Sequence, residues 1–122
     1  MSELETNLDS ANKYLQKFKD QPTGHFIAGK MEVPAGAVTY TNTTPTDQSS
    51  LGEVVRGTAA DVDRACNAAE AAFPDWRDMP GAERKKLLNH FADKIVERAE
   101  EIALVESMDC GQAIRFMKQA AI

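Results

Sequence analysis

The chain has 122 residues, 43% hydrophobic and 27% charged, a globular balance rather than a disordered or fibrous one. Nineteen acidic residues against fourteen basic ones leave a net charge of −5. That excludes a nucleic-acid surface of the usual kind, because phosphate binding needs clustered Lys and Arg.

No apolar run approaches the roughly 20 residues that a membrane-crossing helix needs. Glu3, Glu5 and Asp9 stand where a secretory leader requires basic and then apolar residues. Cys66 and Cys110 form neither a metal-ligand spacing nor a disulfide framework. The expectation is a cytoplasmic chain with reduced thiols.

Leu4, Leu8, Ala11, Leu15 and Phe18 recur at helical spacing and predict an amphipathic helix over residues 3–19. Pro22 and Gly24 end it. Residues 26–33 and 38–41 read as two strands of one β-hairpin about Pro34-Ala35-Gly36, and residues 51–55 as a third strand. Thr58-Ala59-Ala60-Asp61 is a capping-box pattern that opens a second helix. Val62, Ala65, Cys66, Ala69, Ala72 and Phe73 share one of its faces, and Pro74 closes it with Trp76 just beyond. From Gly81 the pattern stays helical, with Leu88, Phe91, Ile95, Ala99, Ile102, Val105 and Met108 on one face. Gly111 is expected in the left-handed conformation as a stop. A last helical stretch from Ala113 carries Ile114, Met117 and Ala121 and reaches Ile122 without Gly, Pro or any cap, which reads as an interrupted chain.

Catalytic chemistry is hard to find along this chain. Val33-Pro34-Ala35-Gly36-Ala37 has one glycine and no helix after it, so it cannot cradle a phosphate as dinucleotide-binding loops do. His25, at a strand start, and His90, on a helix face, are expected to be structural or surface residues rather than metal ligands. Cys66, among Ala and Val, is expected to be buried and inert. Cys110 sits at a helix C-terminus beside Asp109, where both neighbours disfavour the thiolate. Arg84-Lys85-Lys86 is expected to be a solvated face. Glu97, Glu100, Glu101 and Glu106 are expected to be solvated partners of nearby Lys and Arg. Trp76 is expected to anchor packing.

Four segments, in unbroken order, resemble one family. Phe26-Ile27-Ala28-Gly29-Lys30 is similar to the opening strand of the NAD(P)-dependent aldehyde dehydrogenases. Ala65-Cys66-Asn67-Ala68-Ala69-Glu70-Ala71-Ala72-Phe73-Pro74-Asp75-Trp76 resembles the first helix, and Pro80-Gly81-Ala82-Glu83-Arg84 with Leu88 and Ala92-Asp93-Lys94-Ile95 the next. Glu106-Ser107-Met108-Asp109-Cys110-Gly111-Gln112 is similar to the family's Glu-Thr-x-Asp-Thr-Gly-Lys segment. Cys110 and Gln112 depart from it, as does Thr44-Pro45-Thr46-Asp47-Gln48 from the family's Asn-Pro-x-Thr-Gly loop. The Asp-Cys-Gly-Gln variant and the N-terminal helix are more similar to bacterial members that oxidise semialdehydes.

The resemblance implies an α/β fold: a β-hairpin plus helices of an incomplete Rossmann-like cofactor-binding domain. Residues 1–24 would be an N-terminal amphipathic helix and linker, and residues 25–122 the first part of that domain. The implied reaction is oxidation of an aldehyde to an acid. A cysteine attacks the aldehyde, NAD or NADP accepts hydride, and a glutamate activates water. Those residues lie downstream of the matching positions, so the segment itself is expected to supply neither catalytic nor cofactor-binding groups and to bind no cofactor. The intact parent is expected to be a homo-oligomer. One site does map: some members hold a structural monovalent cation at positions matching Asp109 and the carbonyls of Asn42 and Thr43. Such an oxygen-only shell suits a hard cation; otherwise Asp109 caps neighbouring backbone amides. The rival to an enzyme fragment is a complete α+β interaction module that docks through the Leu4–Phe18 stripe.

Overall fold

A computed structural model describes residues 2–120. Ser2 is extended (φ −72°, ψ 162°) and closes a capping box, its N–H donating to Glu5 Oε2 at 2.6 Å while Glu5 N–H donates to Ser2 Oγ at 3.3 Å. Two donors that a helix start leaves without partners are thereby satisfied. Helix α1 runs Glu3–Asp20, with Ala11 and Leu15 buried and Leu4 and Leu8 exposed. The apolar stripe therefore finds its cover within the chain over its C-terminal half.

Strands β1 (His25–Ile27) and β2 (Lys30–Glu32) form their own antiparallel hairpin, and β3 (Thr39–Thr43) pairs instead with β4 (Ser50–Val55). The single hairpin expected about residues 34–36 is therefore corrected to two. Ala28 (φ 51°) and Gly29 (φ 79°) both take positive φ, the requirement of a two-residue type I′ turn. An alanine in that role hid the turn inside what reads as one strand. Backbone bonds from Thr23 N–H to Glu53 O (2.8 Å) and from Val55 N–H to Thr23 O (2.9 Å) lay the linker beside β4.

Thr58 and Asp61 close the expected capping box at the start of helix α2 (Ala59–Asp78). Pro74 lies inside α2 and does not end it, and Trp76 is helical. Proline's fixed φ is helical, so the cost is one lost N–H bond and a crowded carbonyl four residues back. The helix tolerates this and stops at Met79, before Pro80. The long C-terminal pattern divides at Arg98 (φ −110°, ψ 13°) into α3 (Gly81–Glu97) and α4 (Ala99–Cys110). Gly111, at φ 74°, is the left-handed stop that the sequence predicts, and Ser107 Oγ donates to Gln112 O at 2.6 Å across it. Helix α5 (Ile114–Ala120) then folds against α4. Ala121 and Ile122, read as the end of an uncapped turn, lie outside the described residues.

The core is small. Ala11, Leu15, Leu51, Val55, Ala103 and Leu104 are buried where α1, β4 and α4 meet, and Thr44 beside them. Helices α2 and α3 bury no residue fully, and Phe73, Leu88 and Phe91 are 55%, 56% and 65% exposed. Cys66 is exposed, contrary to the buried position expected of it, because the face it shares has no cover here. Trp76, 40% exposed, anchors no core. The chain exposes 8854 Å², whereas a compact monomer of this size exposes roughly 6500 Å². Exposed large apolar side chains on α2 and α3 (Val62, Phe73, Trp76, Leu87, Leu88, Phe91, Ile95 and Val96) contribute to the excess.

Candidate functional site

The segment after β3 is held by a dense set of local bonds. Thr44 N–H donates to Ser49 O (3.0 Å), Gln48 N–H to Thr44 O (3.0 Å) and Ser49 N–H to Asp47 Oδ1 (2.9 Å), with Gln48 at φ 64°. The Ser49 side chain first, and then the Ser49 N–H, hold the Asp47 carboxyl below its usual range. A register shift between Asn42 and Thr43 breaks the β3–β4 ladder just before this loop. The loop abuts the end of α4: a Cβ built on Gly111 would sit 2.8 Å from Pro45 Cγ.

This arrangement brings two of the three candidate site residues into contact. Asn42 Nδ2 donates to Asp109 Oδ1 at 2.6 Å. Asp109 therefore takes a side-chain amide from β3. Thr43 follows Asn42 at the β3 end, where it pairs with Ser50. Asn42 and Asp109 edge a mainly apolar cleft of about 210 Å³ floored by Leu15, Phe18 and Val105. Its polar side chains at that edge are the Asp109 carboxylate and the Asn42 amide.

The remaining candidates stand apart from this cleft. Gly36 (φ 72°) turns the chain from β2 toward β3, not into a helix. Cys110 is exposed at the end of α4. His90 is exposed on α3, and His25 faces the start of α2. Among the described residues, no three His, Cys, Asp or Glu side chains converge as a metal site would require. Lys94 pairs with Glu97 at 2.6 Å, and Glu101 takes Arg98 at 2.8 Å together with Lys17 of α1. The Arg98 guanidinium first, and then Lys17, lower the Glu101 carboxyl to about 2. Lys86 pairs with Glu83 at 2.9 Å on the solvated α3 face. Arg84 instead donates to the Trp76, Arg77 and Met79 carbonyls, closing the α2–α3 corner. Sequence reasoning missed that corner because it ended α2 at Pro74.

The arrangement is that of an α/β protein whose helices α2 and α3 present apolar faces without an accompanying sheet. Residues 33–122 match the model of the aldehyde dehydrogenase family, and the chain belongs to that family. It is 39% identical over 92 residues to the NADP/NAD-dependent aldehyde dehydrogenase PuuC of Escherichia coli K12, covering 74% of this chain and 19% of that protein. It is 36% identical over 92 residues to an acetaldehyde dehydrogenase of Pseudomonas aeruginosa, covering 75% of this chain and 18% of that protein. Among solved structures, HpcC of Thermus thermophilus superimposes with a TM-score of 0.88 at 32% identity, over 93% of this chain and 22% of that one. Betaine aldehyde dehydrogenase of Staphylococcus aureus, in complex with NAD+, gives 0.82 at 26% identity, over 92% of this chain and 23% of that one. The chain thus spans about a fifth of the length of these relatives.

Proposed function

We propose that this chain is the N-terminal scaffold of an enzyme that oxidises an aldehyde to a carboxylic acid with NAD or NADP. Residues 1–24 act as a helix and linker laid over residues 25–122, the opening part of the cofactor-binding domain. The observation that carries this reading is the family match across residues 33–122, in a chain whose α2 and α3 faces stand open. A semialdehyde is the substrate class that the Asp109–Gln112 variant favours, and the parent works in the cytoplasm as a homo-oligomer. Nucleophile, water-activating carboxylate and nucleotide cleft belong to the parent's downstream part. The purified 122-residue chain, titrated with NAD and NADP, is expected to show no saturable binding and to reduce neither cofactor in the presence of an aldehyde. The parent is expected to do both. Saturable nucleotide binding by the short chain would overturn the assignment of these residues to scaffold.

Asn42, Thr43 and Asp109 fit a structural monovalent cation by donor chemistry: the Asp109 carboxylate, with the backbone carbonyls of Asn42 and Thr43. Asp109 Oδ1 accepts the Asn42 amide, and the carboxylate would supply negative charge to a cation held there. The role is to tie the end of β3 to the end of α4. Asp109→Ala is expected to abolish any gain in melting temperature on exchanging a bulky organic cation for potassium or sodium. An undiminished gain in the variant removes these residues as the site.

A further inference from the structure

Strand β3 has one side unused. Among the described residues its ladder partner is β4 alone. Alternate residues of an antiparallel strand turn their N–H and C=O toward one neighbour and then toward the other. Arg56 N–H donates to Val38 O at 2.8 Å and Thr44 N–H to Ser49 O at 3.0 Å, so the even-numbered residues of this stretch face β4. The odd-numbered ones face away. Thr39 and Thr41 stand opposite Val55 and Glu53, and the Val55 N–H and Glu53 O both bond Thr23 on the far side of β4. The register shift leaves Leu51 of β4 without a partner, so β3 keeps its alternation and Thr43 joins the outward set.

This free edge is bounded at both ends. The outward position before Thr39 is Ala37, whose N–H already donates to Pro34 O at 3.1 Å, and the one after Thr43 is Pro45, which has no N–H. What remains is Thr39, Thr41 and Thr43, symmetric about Thr41. A second copy laid antiparallel brings Thr41 against Thr41 and Thr39 against Thr43 on either side. Each such pair exchanges two backbone hydrogen bonds, and a twofold axis passes between the two Thr41 residues. We propose that the β3 edge is a self-docking surface, at which two copies of this chain join their Thr39–Thr43 strands antiparallel into one sheet, β4-β3-β3-β4.

Charge and closure favour a second copy as the occupant. An unpaired strand is ordinarily guarded by Lys, Pro or an inward-pointing charge. Thr39-Tyr40-Thr41-Asn42-Thr43 carries none of these. Two chains of net charge −5 therefore meet at this strand with no like charges directly opposed. Threonine falls against threonine on one face, and on the other the exposed Tyr40 falls against Asn42 of the second copy, pairs that suit a pleated, half-covered sheet. Thr23 already lies along the outer edge of β4, so the pairing closes at two copies and does not propagate. The proposal deepens the reading of the parent as a homo-oligomer and, for the intact enzyme, rests on it.

The test is amide exchange with light scattering on the 122-residue chain, between about 20 µM and about 2 mM. The Thr39, Thr41 and Thr43 amides are expected to gain about tenfold in protection over that range as the mass doubles. Tyr40 and Asn42, already bonded to β4, are expected not to change. Thr41→Pro deletes an outward N–H without touching the β4 ladder, and is expected to stay monomeric. Thr41→Val keeps the N–H and loses only the hydroxyl that donates to Glu53, and is expected to dimerise as the wild type does. A Thr41→Pro chain that still dimerises, or outward amides that ignore concentration, overturns the proposal. A doubled mass with unchanged outward amides assigns the contact to the open α2 and α3 faces instead. Should Thr41→Pro fail to fold, the wild-type exchange pattern decides alone. The parent separates this proposal from the homo-oligomer reading. An oligomer whose Thr41 amide exchanges freely refutes the edge and keeps that reading, whereas a monomer with Thr41 protected at every concentration gives the edge to a downstream strand and refutes both.

Discussion

Gly52→Ala is expected to unseat α1 and to cost about 3 kcal/mol or more. Two separate effects add at this residue. Its φ of 132° lies in a region that side-chain-bearing residues rarely adopt. An ideal Cβ there would also stand 2.1 Å from Phe18 O and 2.7 Å from Phe18 C, both backbone atoms with nowhere to move. The absent side chain is what lets the last turn of α1 lie directly on β4. Gly36→Ala separates the two effects, because φ is 72° there but nothing lies within 4 Å of the added methyl. That control should cost only the backbone strain, about 1–2 kcal/mol. Urea midpoints for both variants, with hydrogen exchange along α1, measure the difference. Equal losses would show that α1 does not rest on Gly52.

The same contact shows what could and could not be read in the sequence. Helix α1, the Thr58 cap and the Gly111 stop were legible because each depends on residues within a few positions of one another. The partner of β3 was not. Residues 26–33 have a near-continuous strand pattern, and only the positive φ of Ala28 and Gly29 shows that they fold back on themselves. Pro74 signals an end, yet the helix continues because an exposed turn can forgo one hydrogen bond. For the candidate cation site, the resemblance placed Asp109 near Asn42, and the fold joins them at 2.6 Å over 67 positions. Nothing in local spacing announces that contact. Likewise hidden was the contact of the first hairpin with α2, where Arg64 Nη1 donates to Glu32 Oε2 at 2.8 Å. Burial on α2 failed for a different reason: periodicity locates an apolar face but does not say whether its cover lies within the same 122 residues.

Leu15→Ala and Phe91→Ala form a pair whose outcome depends on that cover. Leu15 is 2% exposed, at the meeting of α1 with β4 and α4, where truncation leaves a cavity that stiff backbone cannot close. Its loss is expected to cost about 3 kcal/mol in the 122-residue chain, a large part of what so small a core supplies. Phe91 is 65% exposed on α3, and in the same chain its truncation should cost under about 0.5 kcal/mol. In the intact parent, Leu15→Ala should cost about as much as before, while Phe91→Ala should rise to about 3 kcal/mol, the usual loss for a buried aromatic. Chemical denaturation of both variants in both lengths of chain gives the four numbers. If Phe91→Ala stays neutral in the parent, the α3 face is a true surface and the scaffold reading of α2 and α3 fails. A rise at Phe91 alone places the missing cover downstream. The 8854 Å² of exposed surface is then that of a domain separated from the sheet it packs on.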